Sequence, residues 1–151
     1  MSIIICGYPG IGKSTAAVNR SNIIDAESVS FSHTWDPDTC FQEPNDAFPG
    51  NYVDYLEMLT HQLAGYDYIL AACHQEVRDE LMKRGIPFIV VMPDESCLNE
   101  YLIWYLKRGD SVEFITKMQK EWKQWHYDIR STGATVITLG PGENLADILP
   151  K

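Results

Sequence analysis

The residues with the clearest chemistry lie in Gly7-Tyr8-Pro9-Gly10-Ile11-Gly12-Lys13-Ser14-Thr15. A glycine, four variable positions, then Gly-Lys-Ser is the spacing of a phosphate-cradling loop. Its glycines let successive backbone N–H groups point into one concavity with no Cβ in the way of a phosphate oxygen. Lys13 supplies a mobile ammonium for the β and γ phosphates of ATP, and the Ser14 hydroxyl is a ligand for Mg2+. A helix starting near Gly12 would add the positive end of its dipole. Glycine-rich turns also join strands to helices for packing alone. Here Lys13-Ser14 stands behind the apolar run Ile3–Cys6, which favours nucleotide binding.

Further candidates follow along the chain. Asn22-Ile-Ile-Asp25 reads as a short strand ending in a carboxylate. Strand ends of this kind line the ligand crevice of open α/β sheets, so Asp25 is a candidate base, or an anchor for a substrate hydroxyl. A turn or helix-capping aspartate is the plain alternative, and Glu27 is a second carboxylate candidate. Residues 28–51 carry three prolines and many turn formers, which predicts an irregular segment. Its aromatics suggest a substrate cover, with Phe31, His33 and Trp35 as contacts; they could equally pack on the domain. His74 and Arg78 begin the helix after Asp67–Cys73, and Arg78 could clamp an acceptor phosphate bidentately. A surface arginine paired with Glu76 or Asp79 is the alternative. The turn Lys107-Arg108 could close over polyphosphate, or simply complement a helix C-terminus.

These residues need a scaffold of alternating elements. Apolar runs at Ile3–Cys6, Asn22–Asp25, Asp67–Cys73, Ile86–Pro93 and Ala134–Leu139 predict five strands. Between them, 3.6-residue spacing predicts helices: Tyr52, Tyr55, Leu56, Leu59 and Leu63 behind an Asn51 cap, then Gln75–Arg84 closed by Gly85. Leu98, Tyr101, Leu102, Tyr105 and Leu106 form the next apolar face. Ile115, Met118, Trp122, Trp125 and Ile129 form the last, behind an Asp110/Glu113 capping box, with Lys117, Lys120 and Lys123 on the solvated side. The Met/Trp stripe reads as core. This alternation predicts an α/β domain with a parallel sheet covered on both faces.

The 151 residues fit one domain, and no apolar run approaches the roughly 20 residues of a membrane span. The N-terminus lacks the basic flank of a signal peptide. Four cysteines (Cys6, Cys40, Cys73, Cys97) without Cys-x-x-Cys spacing read as reduced thiols, which predicts a cytoplasmic protein. A zinc site from His33, Cys40, Cys73 and His74 has no support from spacing. The net charge of −9 argues against nucleic acid as partner and leaves small anionic ligands open.

The loop motif with this layout resembles the P-loop NTPases, and in particular their nucleoside and nucleotide kinase branch, similar in plan to adenylate kinase and shikimate kinase. The resemblance implies a three-layer sandwich around a five-stranded parallel sheet. Residues 28–64 would be an acceptor-binding insertion, and 99–130 a helical pair with a lid turn at 107–110. It implies ATP and Mg2+ as cofactors: Gly7 to Thr15 hold the nucleotide, with Lys13 and Ser14 at the β/γ phosphates and metal and Thr15 at the α phosphate. Lys13, Asp25 and Arg108 would be catalytic, Arg108 as lid cation, and Gly140 to Asn144, with Gly142, would flank the adenine. The third strand departs from the family pattern, ending in Cys73-His74 where an aspartate is expected. The implied reaction moves the γ-phosphoryl group of MgATP to a small acceptor, first a nucleoside monophosphate held by Asp25, Phe31, His33, Trp35, His74 and Arg78. A hydroxyl of a metabolite, nucleoside or modified nucleobase, with Asp25 as base, is the alternative. A nucleotide-binding regulator or partner-dependent ATPase is the reading from another class.

Overall fold

A computed structural model describes residues 2–18, 20–36, 41–61 and 65–150, with 35, 36, 41 and 42 described by backbone alone. In chain order these form β1 (Ile3–Gly7), α1 (Lys13–Ala17), β2 (Ile23–Asp25), α2 (Val29–Ser32), β3 (His33–Asp36) and β4 (Phe41–Pro44). There follow α3 (Gly50–Thr60), β5 (Tyr68–Ala72), α4 (Gln75–Lys83), β6 (Phe88–Pro93), a single 3-10 turn (Glu95–Cys97) and α5 (Leu98–Lys107). α6 (Val112–Ser131), β7 (Thr135–Leu139) and α7 (Leu145–Ile148) complete the described chain.

The five apolar runs make one parallel sheet in the order β2-β5-β1-β6-β7. The central strands have almost no polar residue because a parallel strand is covered on both faces. Ile4, Ile5, Ile69, Leu70, Val90 and Val91 are accordingly at most 1% exposed. In register, Gly7 lies opposite Ala72 on one side and Val91 on the other. The ends of β1, β5 and β6 therefore come level, and the loop after Gly7 springs from the middle of the sheet's carboxyl edge. The Tyr52 hydroxyl donates to the Ala26 carbonyl at 2.5 Å and accepts from the Ala72 amide at 3.1 Å, which pins the ends of β2 and β5 together.

Several local expectations are corrected. Residues 28–51 are not irregular throughout: they hold α2 and an antiparallel hairpin, β3 with β4, in which Thr34 pairs with Glu43. Of the three prolines, Pro44 falls at the hairpin's end and Pro49 at the N-cap of α3, where no ladder or helix amide is needed, and Pro37 lies outside the described residues. Pro49, not Asn51, occupies that cap; Asn51 sits in the first turn and donates to the Phe31 carbonyl at 2.9 Å. α6 is capped by Ser111, whose hydroxyl accepts from the Phe114 amide at 3.1 Å, rather than by Asp110. Leu63 and Cys40 lie outside the described residues.

α6 carries the stripe read as core, and Met118, Trp122, His126 and Ile129 are buried. The Trp122 indole N–H donates to the Glu95 carbonyl at 2.8 Å, and both ring nitrogens of His126 lie against carbonyls, of Trp122 (2.7 Å) and Pro93 (2.9 Å). These contacts seat α6 on the end of β6, beside the loop. No described helix is long and apolar enough to cross a membrane.

Candidate functional site

The loop between β1 and α1 is held by few of its own groups. Gly10 and Gly12 have φ of 90° and 93°, a left-handed backbone that glycine adopts freely, and a Cβ at Gly10 would lie 2.8 Å from the Tyr105 ring. The Tyr8 amide donates to Val91 at 3.0 Å, that of Ile11 to Tyr8 at 3.3 Å and that of Ala16 to Gly12 at 2.9 Å. Among the described residues, the amides of Gly10, Gly12, Lys13, Ser14 and Thr15 donate to no acceptor. Free amides in a left-handed turn are what an oxyanion needs. The helix dipole contributes less than the sequence suggested, because α1 runs only from Lys13 to Ala17.

Lys13 reaches back over the loop, its ammonium donating to the Gly7 carbonyl at 2.9 Å. Burial pushes its pKa below the ordinary lysine value, and Asp25 is the strongest of the charges opposing that fall. The Ser14 hydroxyl donates to Asp25 Oδ2 at 3.1 Å. The sheet order makes this contact: β2 ends beyond β5, and its terminal carboxylate swings to the start of α1. A hydroxyl and a carboxylate side by side are hard oxygen donors, which suits Mg2+ with water completing its shell. Among the described residues no group of three or more His, Cys, Asp or Glu side chains converges on a metal site.

Two cavities flank the loop. One, of about 410 Å3, is lined by Gly7, Tyr8 and Lys13 from the loop, His74 and Arg78 from the start of α4, and α6. The other, of about 630 Å3, takes in Gly10, Gly12 and Thr15, with Tyr101, Trp104 and Lys107 of α5 opposite Gly142 and Asn144. Trp104 is 48% exposed there. A side-chain carboxylate oxygen of Glu100 accepts from the Gly142 amide at 2.8 Å, which fixes the 140–144 segment against α5.

Several predicted residues come together here. Lys13, His74 and Arg78 share the first cavity; Thr15 and Gly142 share the second. Arg78 is no surface residue: it is 4% exposed, and its Nη1 donates to the Cys73 carbonyl at 2.6 Å. Burial lowers the pKa of His74, and Lys13, Arg78 and Lys117 push it further down against Glu76. Asp25 meets Ser14 but lines neither cavity. Phe31 stacks on Tyr55 at 5.0 Å and packs against Tyr52 at 5.5 Å, away from both cavities. His33 is exposed, its Nδ1 2.8 Å from the Ser32 hydroxyl. Trp35 lies in β3, with its side chain outside the described residues. Arg108 is bonded to the Asp110 carboxylate and lies 5.0 Å from the Tyr105 ring centre, so of the two cations in that turn Lys107 is the one that borders a cavity.

Comparison with protein-family models, curated proteins and solved structures finds no significant match. The geometry therefore stands alone. It adds residues that the sequence reading assigned to core or solvent: Lys117, Met118 and Trp125 all line the first cavity. The Lys117 ammonium lies 5.6 Å from the Trp125 ring centre. Their spacing along α6 is visible in sequence, but nothing in it tells a cavity wall from a core stripe.

Proposed function

We propose that this chain is a P-loop kinase, moving the γ-phosphoryl group of MgATP to a small acceptor. The observation that carries the reading is the set of free amides at Gly10, Gly12, Lys13, Ser14 and Thr15, with the Lys13 ammonium beside them, at the end of the central strand. A triphosphate would give each of those donors an oxygen, and Lys13 would neutralise charge spreading over the transferred group. The second cavity suits the donor's base, on the exposed face of Trp104 and beside Gly142. The first, on the Lys13 side, suits the acceptor. Right-handed crossovers would put α1 on one sheet face and α3 to α6 on the other, the three-layer arrangement of such kinases. The packing of α1 on α7 and of α3 on α4 agrees with that division.

Ser14 and Asp25 would hold the metal, which would neutralise phosphate charge when bound. Asp25 thereby takes the place of the carboxylate missing from β5. Because Asp25 is engaged with Ser14 and lines neither cavity, a phosphate acceptor such as a nucleoside monophosphate is favoured over a hydroxyl acceptor using Asp25 as base. A regulator or partner-dependent ATPase keeps one supporting observation, the absence of a carboxylate from the end of β5.

ATP consumption with and without a panel of nucleotides, nucleosides and sugars tests the reading: stimulation by one class supports it. Consumption that ignores every acceptor favours the regulator. For Asp25→Asn we expect the Mg2+ concentration needed for half-maximal nucleotide binding to rise about tenfold or more. Affinity for metal-free ATP should stay unchanged. Unaltered metal dependence, with turnover lost at saturating Mg2+, would return Asp25 to the role of base.

A further inference from the structure

β7 is the last strand of the sheet and pairs on one side only, with β6. The Leu139 carbonyl accepts from the Asp94 amide at 2.8 Å, which turns the backbone of Leu139, and by alternation of Ile137 and Thr135, toward β6. The N–H and C=O groups of Val136 and Thr138 therefore point outward, and among the described residues they have no hydrogen-bond partner. Such a row is a template for another strand, and proteins blunt it with charge, proline, a bulge or a very short strand. The other strand edges carry those devices. β2 has three residues and ends in Asp25, and the β3–β4 hairpin carries His33, Glu43 and Pro44. β7 carries none. It reads Thr-Val-Ile-Thr-Leu, its register with β6 is unbroken from Thr135 to Leu139, and no ionisable residue occurs from Ser131 to Gly142.

We propose that this edge is a dimer interface, in which β7 pairs antiparallel with β7 of a second copy about a twofold axis through Ile137. The outward groups fix the register. Val136 of each copy exchanges N–H···O bonds with Thr138 of the other, and the two Ile137 residues form the close pair between them, their Cα atoms about 4.5 Å apart. Ile137, 38% exposed in the single chain, is then covered by its own copy, and Thr135 lies opposite Leu139. The contact is isologous, so assembly closes at two copies.

Charge selects a second copy as the occupant. Each chain carries −9, and two such molecules repel least where neither presents an ionisable group. Valine, isoleucine and threonine facing one another are also the residue types that cross-strand pairing favours. The edge is open to a partner of this size. Thr135 and Ile137 on one face of the sheet, and Thr138 on the other, are exposed, so no helix overhangs the outer side of the strand. No β7 residue lines either cavity, and the dimer leaves the candidate site open whatever that site binds.

Sedimentation velocity and light scattering on the full chain test this. A junction of two short strands is small, so a dimer with a dissociation constant of about 1–100 µM is expected. Added salt should tighten it, because salt screens the like net charges and leaves an uncharged junction untouched. Thr138→Pro removes an outward amide and no bond to β6, and Ile137→Lys sets two like charges on the axis. Each should raise the dissociation constant about tenfold or more, with the circular dichroism spectrum unchanged. Leu106→Lys, on the exposed face of α5, should leave the constant as it is. Under diamide, Ile137→Cys should cross-link two copies, since the axial pair lies within disulfide reach, whereas Thr135→Cys should not. A monomer at about 200 µM, a dimer that the folded β7 variants retain, or one that Leu106→Lys breaks would overturn the proposal. So would equal cross-linking at position 135, or assembly beyond two copies.

Discussion

Lys13→Ala lowers acceptor-stimulated ATP turnover about a thousandfold or more and leaves the melting temperature unchanged or higher. The two halves of this expectation have one cause. The Lys13 ammonium is desolvated at the base of the loop, and its depressed pKa records that the fold holds the charge at a cost. Its bond to the Gly7 carbonyl and the nearness of Asp25 offset part of that cost. On the proposed kinase reading such a charge serves a ligand, and removing it would relieve the fold while stripping the proposed transfer of its central cation. The aliphatic stem also packs locally, since a Cβ at Gly7 would lie 2.7 Å from Lys13 Cδ. Lys13→Met, which keeps the stem, should match the alanine variant in activity and exceed it in stability. A coupled assay and a thermal melt on the same samples decide the matter. Turnover within tenfold of the parent would show that Lys13 does not face the transferred group.

Trp122→Ala has the largest expected effect on stability, about 3–5 kcal/mol, lowering the melting temperature by roughly 10 °C. Trp122 is 2% exposed and touches three other rings, of Tyr8 (5.5 Å), Tyr101 (5.8 Å) and His126 (4.5 Å). Its indole N–H also satisfies the Glu95 carbonyl, which the substitution orphans. This one side chain joins α6, α5 and the loop after β1. Its loss should therefore loosen Tyr8 and weaken acceptor binding even where the protein stays folded. Equilibrium urea denaturation gives the first quantity, and nucleoside monophosphate affinity at low temperature the second. A loss below about 1 kcal/mol would mean that α6 is seated by other contacts.

Much of this molecule was legible one residue at a time. The glycines before Lys13 and Ser14 announce a tight turn after the first strand, and Gly10 and Gly12 adopt the positive φ it needs. The five strands were legible too, since a strand covered on both faces must be apolar throughout. Reading failed where a local rule met a competing partner. Asn51 is a good capping type, but Phe31 takes its side chain; Asp110 has the right spacing, but Arg108 holds it and Ser111 caps instead. Residues 28–51 hid a hairpin, because four-residue strands among prolines carry too little periodicity to declare themselves.

The sequence alone determined the glycine turn after β1, the five strands of the parallel sheet and the apolar faces of the longer helices, because each depends on neighbours along the chain. Only the tertiary structure decided what those groups face. The order β2-β5-β1-β6-β7 brings Asp25 to Ser14 and gathers Tyr8, Arg78, Lys117 and Trp125 around one cavity. Which strand lies beside which is set by packing between segments remote in sequence, and neither periodicity nor propensity records it.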